Sequence, residues 1–476
     1  MAYRFALFFL FLWYVRPQDW FPGLIGVNII RPVMLIWVAL LLFGDMRSRT
    51  PLRGILKTPH DWLVLAYFLY VVFTAPAGVS VFSGFFPLVV FYGLTVQSLS
   101  SWDKVLGYLK WWNWMLLALA LMGVLSLYGL DITGGKPITD SMQGRLSLGT
   151  WMHNNPNALG HSVVAAIPLS YVLWFWRGSL FQRAVMFPAF MILAGMCAWE
   201  TQSKGSYVVG GMLTVLIFVI GRPKFVQIGA IAMAAVLGVG ALSFLPRMEQ
   251  MGNLRADEGV LGRLMAWEQA RQATKDHATG VGWKQFIAFI PWVAEGNRPV
   301  IVAKATHSSY VQVAADLGIY GLFLYLAAQL VALRTLLVLR PRDEEQERCR
   351  RALILLIAAN MISGWMINRQ YHTEYFLMIA VAAAIHRLTV AEELTKAEEA
   401  KAEAARLEEA KFLDKAPVAQ LTPVLIFQAS GPGLVKSDSV PQIKKFWNRF
   451  GWLDLMVAGS ATWLTIWIWD YIMANL

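Results

Sequence analysis

His307 stands in the stretch KATHSSYVQVAADLGIYG, just ahead of a long apolar run, with Tyr310 three residues on. An imidazole of ordinary pKa, about 6.5, accepts a proton at neutral pH, which makes His307 a candidate base for a hydroxyl nucleophile. Cations in four other stretches are candidate anion contacts. Arg263, in GVLGRLMAWEQAR, is placed at the start of an expected short helix, with Trp267 one turn on along the same face. A cation there opposes the helix dipole unless its guanidinium forks an anion such as phosphate. Lys204, in ETQSKGS, sits on a short connector between two apolar runs, where Gly205 is expected to permit a tight turn. Arg145, His153 and Asn157 fall in QGRLSLGTWMHNNPN, and Arg369, His372 and Glu374 in INRQYHTEY. Cations around one neutral base suit a reaction with an anionic leaving group and a neutral nucleophile. The sequence has no HExxH, no Cys/His metal spacing and no GxxxxGK loop. A reaction without metal or cofactor, on a substrate that brings its own phosphate, is expected.

The elements that must hold these groups are membrane helices. Of 476 residues, 57% are hydrophobic, 13% aromatic and only 15% charged, whereas soluble domains carry about 25% charged residues. That excludes an ordinary soluble enzyme and a disordered chain alike. Apolar runs from Phe5–Val15 to Leu453–Ile472 suggest an all-α polytopic membrane protein, with about twelve core spans and an extra C-terminal one. Arg16-Pro17-Gln18-Asp19 after the first run is no cleavage site, so no cleavable signal peptide is expected. Cys197 and Cys349 form no CxxC and no disulfide framework.

A net charge of +11 in a soluble protein would raise nucleic-acid binding; here it is better explained by cytoplasmic loops. Short connectors carry Arg47, Arg49, Arg53 and Lys57, then Arg177 and Arg183, Arg222 and Lys224, and a group from Arg340 to Arg351. With the N-terminus cytoplasmic, all of these lie inside and the candidate site lies on the outer face of the membrane. The expected organisation is a transmembrane bundle over 1–245, a large periplasmic loop with short helices over 246–309, and core helices over 310–387. A charged cytoplasmic helix and linker over 388–450 and a last span over 451–476 complete it. The stretch from Ala391 to Lys411 is expected to be a solvated spacer with pairs such as Glu392–Lys396. Gly318 and Gly321 are expected to let another helix pack closely. The middles of the spans are nearly free of ionisable residues, which counts against a transporter or flippase of lipid-linked or anionic substrates, the main reading from another class. A membrane scaffold would leave the large loop unexplained.

Together these stretches resemble the O-antigen ligase and polymerase superfamily, which takes in O-antigen ligases, Wzy-type polymerases and bacterial protein O-oligosaccharyltransferases. The specific part runs from about Gly259 to Tyr325: GRLMAWEQA, GVGWKQF, then THSSYVQVAADLGIYGLFLY. TQSKGS looks like the family's Thr-x-Ser-Arg-Gly turn, and NNPNALG like the Pro-Asn element opening an earlier span. The resemblance covers about half the chain and stops at His386. It implies transfer of a glycan from a polyprenyl-diphosphate carrier to a hydroxyl, inverting and metal-free, for lipopolysaccharide or other polysaccharide synthesis. His307 would be the catalytic histidine, with Arg263 and Lys204 on the diphosphate, Arg145 a further anion contact, and Tyr310, Arg369 and His372 secondary. The acceptor, a glycan, lipid or protein hydroxyl, stays open, as does ligase versus polymerase. Two departures stand out: Lys204 replaces the usual Arg, keeping the charge but losing the fork, and Ser308 follows the histidine where Asn is frequent.

Overall fold

The computed structural model describes residues 1–43, 56–76, 81–134, 144–242, 258–294, 298–415 and 449–475. Arg47, Arg49 and Arg53 lie outside the described residues. The chain opens with α1 (Ala2–Tyr14), α2 (Pro17–Trp20), α3 (Ile30–Phe43), α4 (Pro59–Thr74), α5 (Val81–Gly84), α6 (Phe86–Ser98) and α7 (Trp102–Leu127). Helix α8 (Pro156–Ser170) carries Pro168, which has no N–H for the helical ladder, and it widens just beyond into a π turn at Tyr171–Phe175. A second π turn (Gln182–Met186) leads into α9 (Phe187–Thr201), followed by α10 (Lys204–Val219), α11 (Lys224–Leu242) and α12 (Glu258–Asp276). Strands β1 (Ala288–Ala294) and β2 (Arg298–Lys304) precede α13 (Ser309–Val338), α14 (Glu344–Ser363), α15 (Thr373–Lys415) and α16 (Trp452–Asn475).

Among the described residues, six segments are long and apolar enough to cross a membrane: Val81–Ser98, Trp102–Leu127, Pro156–Phe175, Gln182–Thr201, Ser309–Val338 and Thr373–Glu408. This is a mostly helical, multi-pass membrane protein. Helices α1, α3 and α4 are 13, 14 and 16 residues long, shorter than the roughly 20 a full crossing needs. Lipid offers little hydrophobic drive for helix–helix contact, so small residues must let backbones approach. Gly160 does this between α8 and the α9–α10 turn. A Cβ there would lie 2.7 Å from Ser206 Oγ and 2.8 Å from Thr201 Oγ1.

The bundle has two unlike ends. At one, the described basic connectors converge. Arg348 donates to the carbonyl of Leu173 (2.8 Å), Arg177 lies 3.6 Å from Glu344, and the Arg351 guanidinium closes over Gly221. Arg342 pairs with Glu392 at 2.8 Å. Glu392 also accepts from Trp102 Nε1 and Gln346 Nε2, so its partners lie across the bundle rather than at Lys396. The charged stretch from Ala391 continues α15 without a break. We call this the basic end.

Two features of the other end, the site end, differ from expectation. First, residues 246–309 are not purely helical: β1 and β2 form an antiparallel ribbon, Ala288 opposite Lys304 and Ala294 opposite Arg298. The run Val300-Ile301-Val302 gives it the β-branched residues that favour strands. Second, α13 is interrupted at Gly318 (φ 67°, ψ −171°), and what packs there is a loop rather than a helix. A Cβ on Gly318 would lie 2.0 Å from the Ala278 carbonyl oxygen. Val281 N donates to Ala315 O (3.0 Å) and Gly282 N to Asp316 O (2.7 Å), so the Gly280-Val281-Gly282 turn supplies donors to carbonyls at the break. Helix α16 runs along α13 and α12, tied by ion pairs Arg334–Asp454 near one end and Arg271–Asp470 (3.5 Å) at the other.

Candidate functional site

Arg263 is the sixth residue of α12, because the helix begins at Glu258. The expected conflict with the helix N-terminus therefore does not arise. The preceding glycine has a steric task. A Cβ on Gly262 would sit 3.1 Å from Lys304 Cε, so the Lys304 stem crosses the helix at this point. One turn after Arg263, Trp267 Nε1 donates to the carbonyl of Thr306 (2.7 Å). Gln269 exchanges two bonds with the Phe289 backbone, 2.7 and 3.0 Å, docking the ribbon on α12. The Arg-to-Trp spacing thus ties the arginine's helix to the residue before His307.

His307 has φ 51°, in the left-handed region. A non-glycine residue there stores about 1–3 kcal/mol of strain and persists only where its surroundings dictate it. Its neighbours do so. Thr306 Oγ1 lies 3.1 Å from Asn368 Oδ1 and 3.0 Å from Gln312 Oε1. Ser308 caps α13, accepting from Val311 N (3.4 Å), and donates to the Gly364 carbonyl (3.2 Å). Ser at an N-cap is as effective as Asn, which accounts for the departure at this position. Ser309 N adds a bond to Gly364 O (2.6 Å). Burial pulls the His307 pKa down to about 4, and the Arg263 and Lys304 charges act in the same direction. At neutral pH the imidazole is uncharged and able to accept a proton.

The structure thus brings His307 and Arg263 together and adds Lys304. Lys204 begins α10, capped by Ser203, which accepts from Ser206 N (3.3 Å). The turn before it is made by Gln202 at φ 47°. Gly205 instead makes room for a neighbour, since its Cβ would meet His161 Nε2 at 3.0 Å. Lys204 is therefore the chain neighbour of the glycine that packs on His161.

The remaining candidates are held in the frame. Arg145 donates to the Thr201 carbonyl (3.0 Å) and to Asn157 Oδ1 (2.8 Å), bracing the α9–α10 turn against the start of α8. Arg369 is buried and donates to Ala158 O and Ser162 Oγ, both at 2.6 Å, and pairs with Glu374 at 3.3 Å. Tyr310 donates to the Met361 carbonyl (2.6 Å) and packs on Trp365. His372 packs edge-on against Trp13, with burial, Arg369, Lys284 and Arg16 lowering its pKa to about 3. Among the described residues, no three His, Cys, Asp or Glu side chains converge as a metal site.

Sequence reasoning missed Lys304 and Asp316. The Lys304 signal was its place three residues before the histidine in KATH. Asp316 is fully buried inside α13 and accepts from Phe286 N (2.9 Å), Tyr371 OH (3.0 Å) and Gln312 Nε2 (3.3 Å). An acid inside a span was its signal.

Residues 189–326 match the family described as O-antigen ligase. Over this stretch the chain is similar to O-antigen ligases. The stretch covers Lys204, Arg263, Lys304, His307 and Asp316, and leaves Arg145, Arg369, His372 and α16 outside it. A search of the curated proteins gave no match.

Proposed function

We propose that this protein transfers a glycan from a polyprenyl-diphosphate carrier to an acceptor hydroxyl, at the outer face of a bacterial inner membrane. The observation that carries the reading is the His307 neighbourhood: a histidine held in a strained backbone conformation, on a segment that Trp267 and Lys304 tie to the helix of Arg263. His307 accepts the proton of the acceptor hydroxyl as its oxygen bonds to the anomeric carbon. The bond from that carbon to the diphosphate oxygen breaks on the opposite side, with inversion. The polyprenyl diphosphate leaves with the electron pair, stabilised by Arg263 and Lys304, with Lys204 as a third cation. Preorganised charges of this kind contribute about 3–4 kcal/mol each by analogy with oxyanion donors. No metal takes part in this scheme.

Orientation follows from the basic end. Clustered arginines favour the cytoplasm, which puts the site end in the periplasm, where the diphosphate emerges while the prenyl tail stays in the bilayer. The periplasmic side would hold residues 246–309, and shorter helices would add to the six long segments in building the core.

Purified protein in nanodiscs, given a lipid-linked oligosaccharide and candidate acceptors, should form a glycosylated product in the presence of EDTA. His307→Ala should lower the rate about 10²–10⁴-fold with an unchanged melting profile. A rate as high as that of the unaltered chain would overturn the assignment. The product separates ligase from Wzy-type polymerase: one glycan on a lipid or protein hydroxyl, or a lengthened lipid-linked chain. Movement of the donor across the bilayer with no new bond would replace transfer by transport.

A further inference from the structure

A cavity of about 400 Å³ opens beside the His307 cluster, a size within the roughly 300–1,000 Å³ of small-molecule sites. Its lining includes Trp151, Lys284, Lys304, Asp316, Gln370 and His372. Lys304 is common to both places: it lines this cavity and its charge acts on His307. Ala303, Lys304 and Ala305 form part of the wall, and the chain then reaches His307 within about 7 Å of Ala305, two Cα steps on.

The lining is not that of a lipid-tail groove. It combines an open indole with amide, carboxylate and ammonium groups. Trp151 is 60% exposed. It is fixed through its backbone N to Asp19 Oδ2 (2.7 Å), and the Arg16 guanidinium lies 5.1 Å over the ring. Asp316 is oriented by its three donors, and Lys284 is held at φ 58° with its ammonium 4.9 Å from the Trp283 ring. Gln370 is only 7% exposed, yet its Oε1 has no hydrogen-bond partner among the described residues. The same is true of the buried Nδ1 of His372. A buried acceptor left unmet is destabilising, and a ligand hydroxyl donating to it would relieve that. A flat apolar face with a rim of amides and charges matches a sugar ring, whose C–H face is apolar and whose edge is hydroxyls.

We infer that this cavity is a sugar subsite of the transfer reaction, taking the ring next to the reacting centre. Lys284 and Lys304 outnumber Asp316 there and favour a ring bearing a carboxylate or phosphate. The inference rests on the transfer reading for the identity of the ligand's parent molecule, and the ring comes from either the donor glycan or the acceptor.

Saturation-transfer NMR on the full-length protein in detergent, with glucuronate and glucose as probes, tests binding without catalysis. Signal from glucuronate, stronger than from glucose and weakened about tenfold in apparent affinity by Trp151→Ala or Lys284→Ala, is expected; losing an aromatic anchor has an effect of that order. Neither sugar responding to either substitution would overturn the subsite. In the transfer assay, Trp151→Ala should raise KM for one substrate while kcat stays close to that of the unaltered chain. Which KM moves identifies donor or acceptor, and a kcat loss with both KM values unmoved would count against the subsite. If the unaltered chain binds glucuronate here but forms no product, the transfer reading fails while the sugar site stands.

Discussion

The two ends of the bundle are both rich in arginine, but they are built on different scales of sequence separation. At the basic end three arginines of α14 are matched along their own helix, Arg348 with Glu344, Arg350 with Glu347 and Arg351 with Glu347, all at 2.6 Å, beside longer-range contacts such as Arg342 with Glu392. At the site end the contacts join distant parts of the chain: Trp267 to Thr306, Ser308 to Gly364, Arg369 to Ala158 and Phe286 to Asp316. Local pairs need only a helix, and each contributes little. Distant contacts that converge on one strained residue over-determine its position, which is what a catalytic group requires.

The sharpest way to break this comparison is to alter one residue at each end. His307→Ala should remove about 10²–10⁴-fold of the transfer rate, and Arg263→Ala about 10²–10³-fold, read from initial rates of product formation. Arg350→Ala should leave the rate within about twofold, since its partner Glu347 lies one turn away on the same helix and none of its described contacts reaches the site end. Equal losses at the two ends would show that the distinction has no functional content.

This separation also explains how much was legible in the sequence. The apolar runs, the convergence of the described basic connectors and the α12 helix followed from composition and period, because each is a local property. His307 and Arg263 were visible as residue types in a resembling order, and the structure ties their segments together through Trp267 and Thr306. What could not be read was anything made by contact between distant segments. The break at Gly318 depends on Ala278 and Gly280–Gly282 arriving there, so the glycine looked like a helix-packing residue. Lys304 became part of the site only once the ribbon folded it over Gly262. Glu392 looked like the partner of Lys396 until Arg342, Trp102 and Gln346 were brought across the bundle.

Asp316 gives a second test, of the loop that the site end depends on. It is the shared acceptor for Phe286 N, Tyr371 OH and Gln312, so Asp316→Ala leaves several buried donors unmet at about 1–3 kcal/mol each. A lower melting temperature is expected, with a loss of transfer beyond what unfolding explains. Asp316→Asn keeps an oxygen acceptor and should recover part of both. No difference between the two variants would mean that the acceptor role does not matter.

Acidity distinguishes the ends less steeply. The site-end histidines His153, His307 and His372 have folded pKa values below the ordinary 6.5, with burial the largest cause in each. Their unfolded counterparts take up protons as pH falls past about 6.5, while His307 stays neutral until about 4. Stability therefore erodes as pH drops through that window and is fully present above it. For the free enzyme, kcat/KM at pH 5.5 should stay within about twofold of its neutral value, whereas an ordinary imidazole would retain only about one tenth. An acid limb centred near 6.5 would place His307 in water rather than under Arg263 and Lys304.

The smallest expected effect is at the basic end. Glu347 accepts from both Arg350 and Arg351 at 2.6 Å, and these hydrogen bonds lower its pKa although burial alone would raise it. Glu347→Gln keeps an oxygen acceptor in the same place and removes one negative charge. Three arginines, at 348, 350 and 351, then share one fewer counter-charge within a single turn of α14. Because the pairs lie on one helix, the cost should be about 0.5 kcal/mol and shrink with added salt. The transfer rate should not change, since no contact described for Glu347 reaches the site end. A salt-insensitive destabilisation of several kcal/mol would show that Glu347 itself is locked by more than its helix, and the contrast with His307 would then lie in chemistry alone rather than in construction.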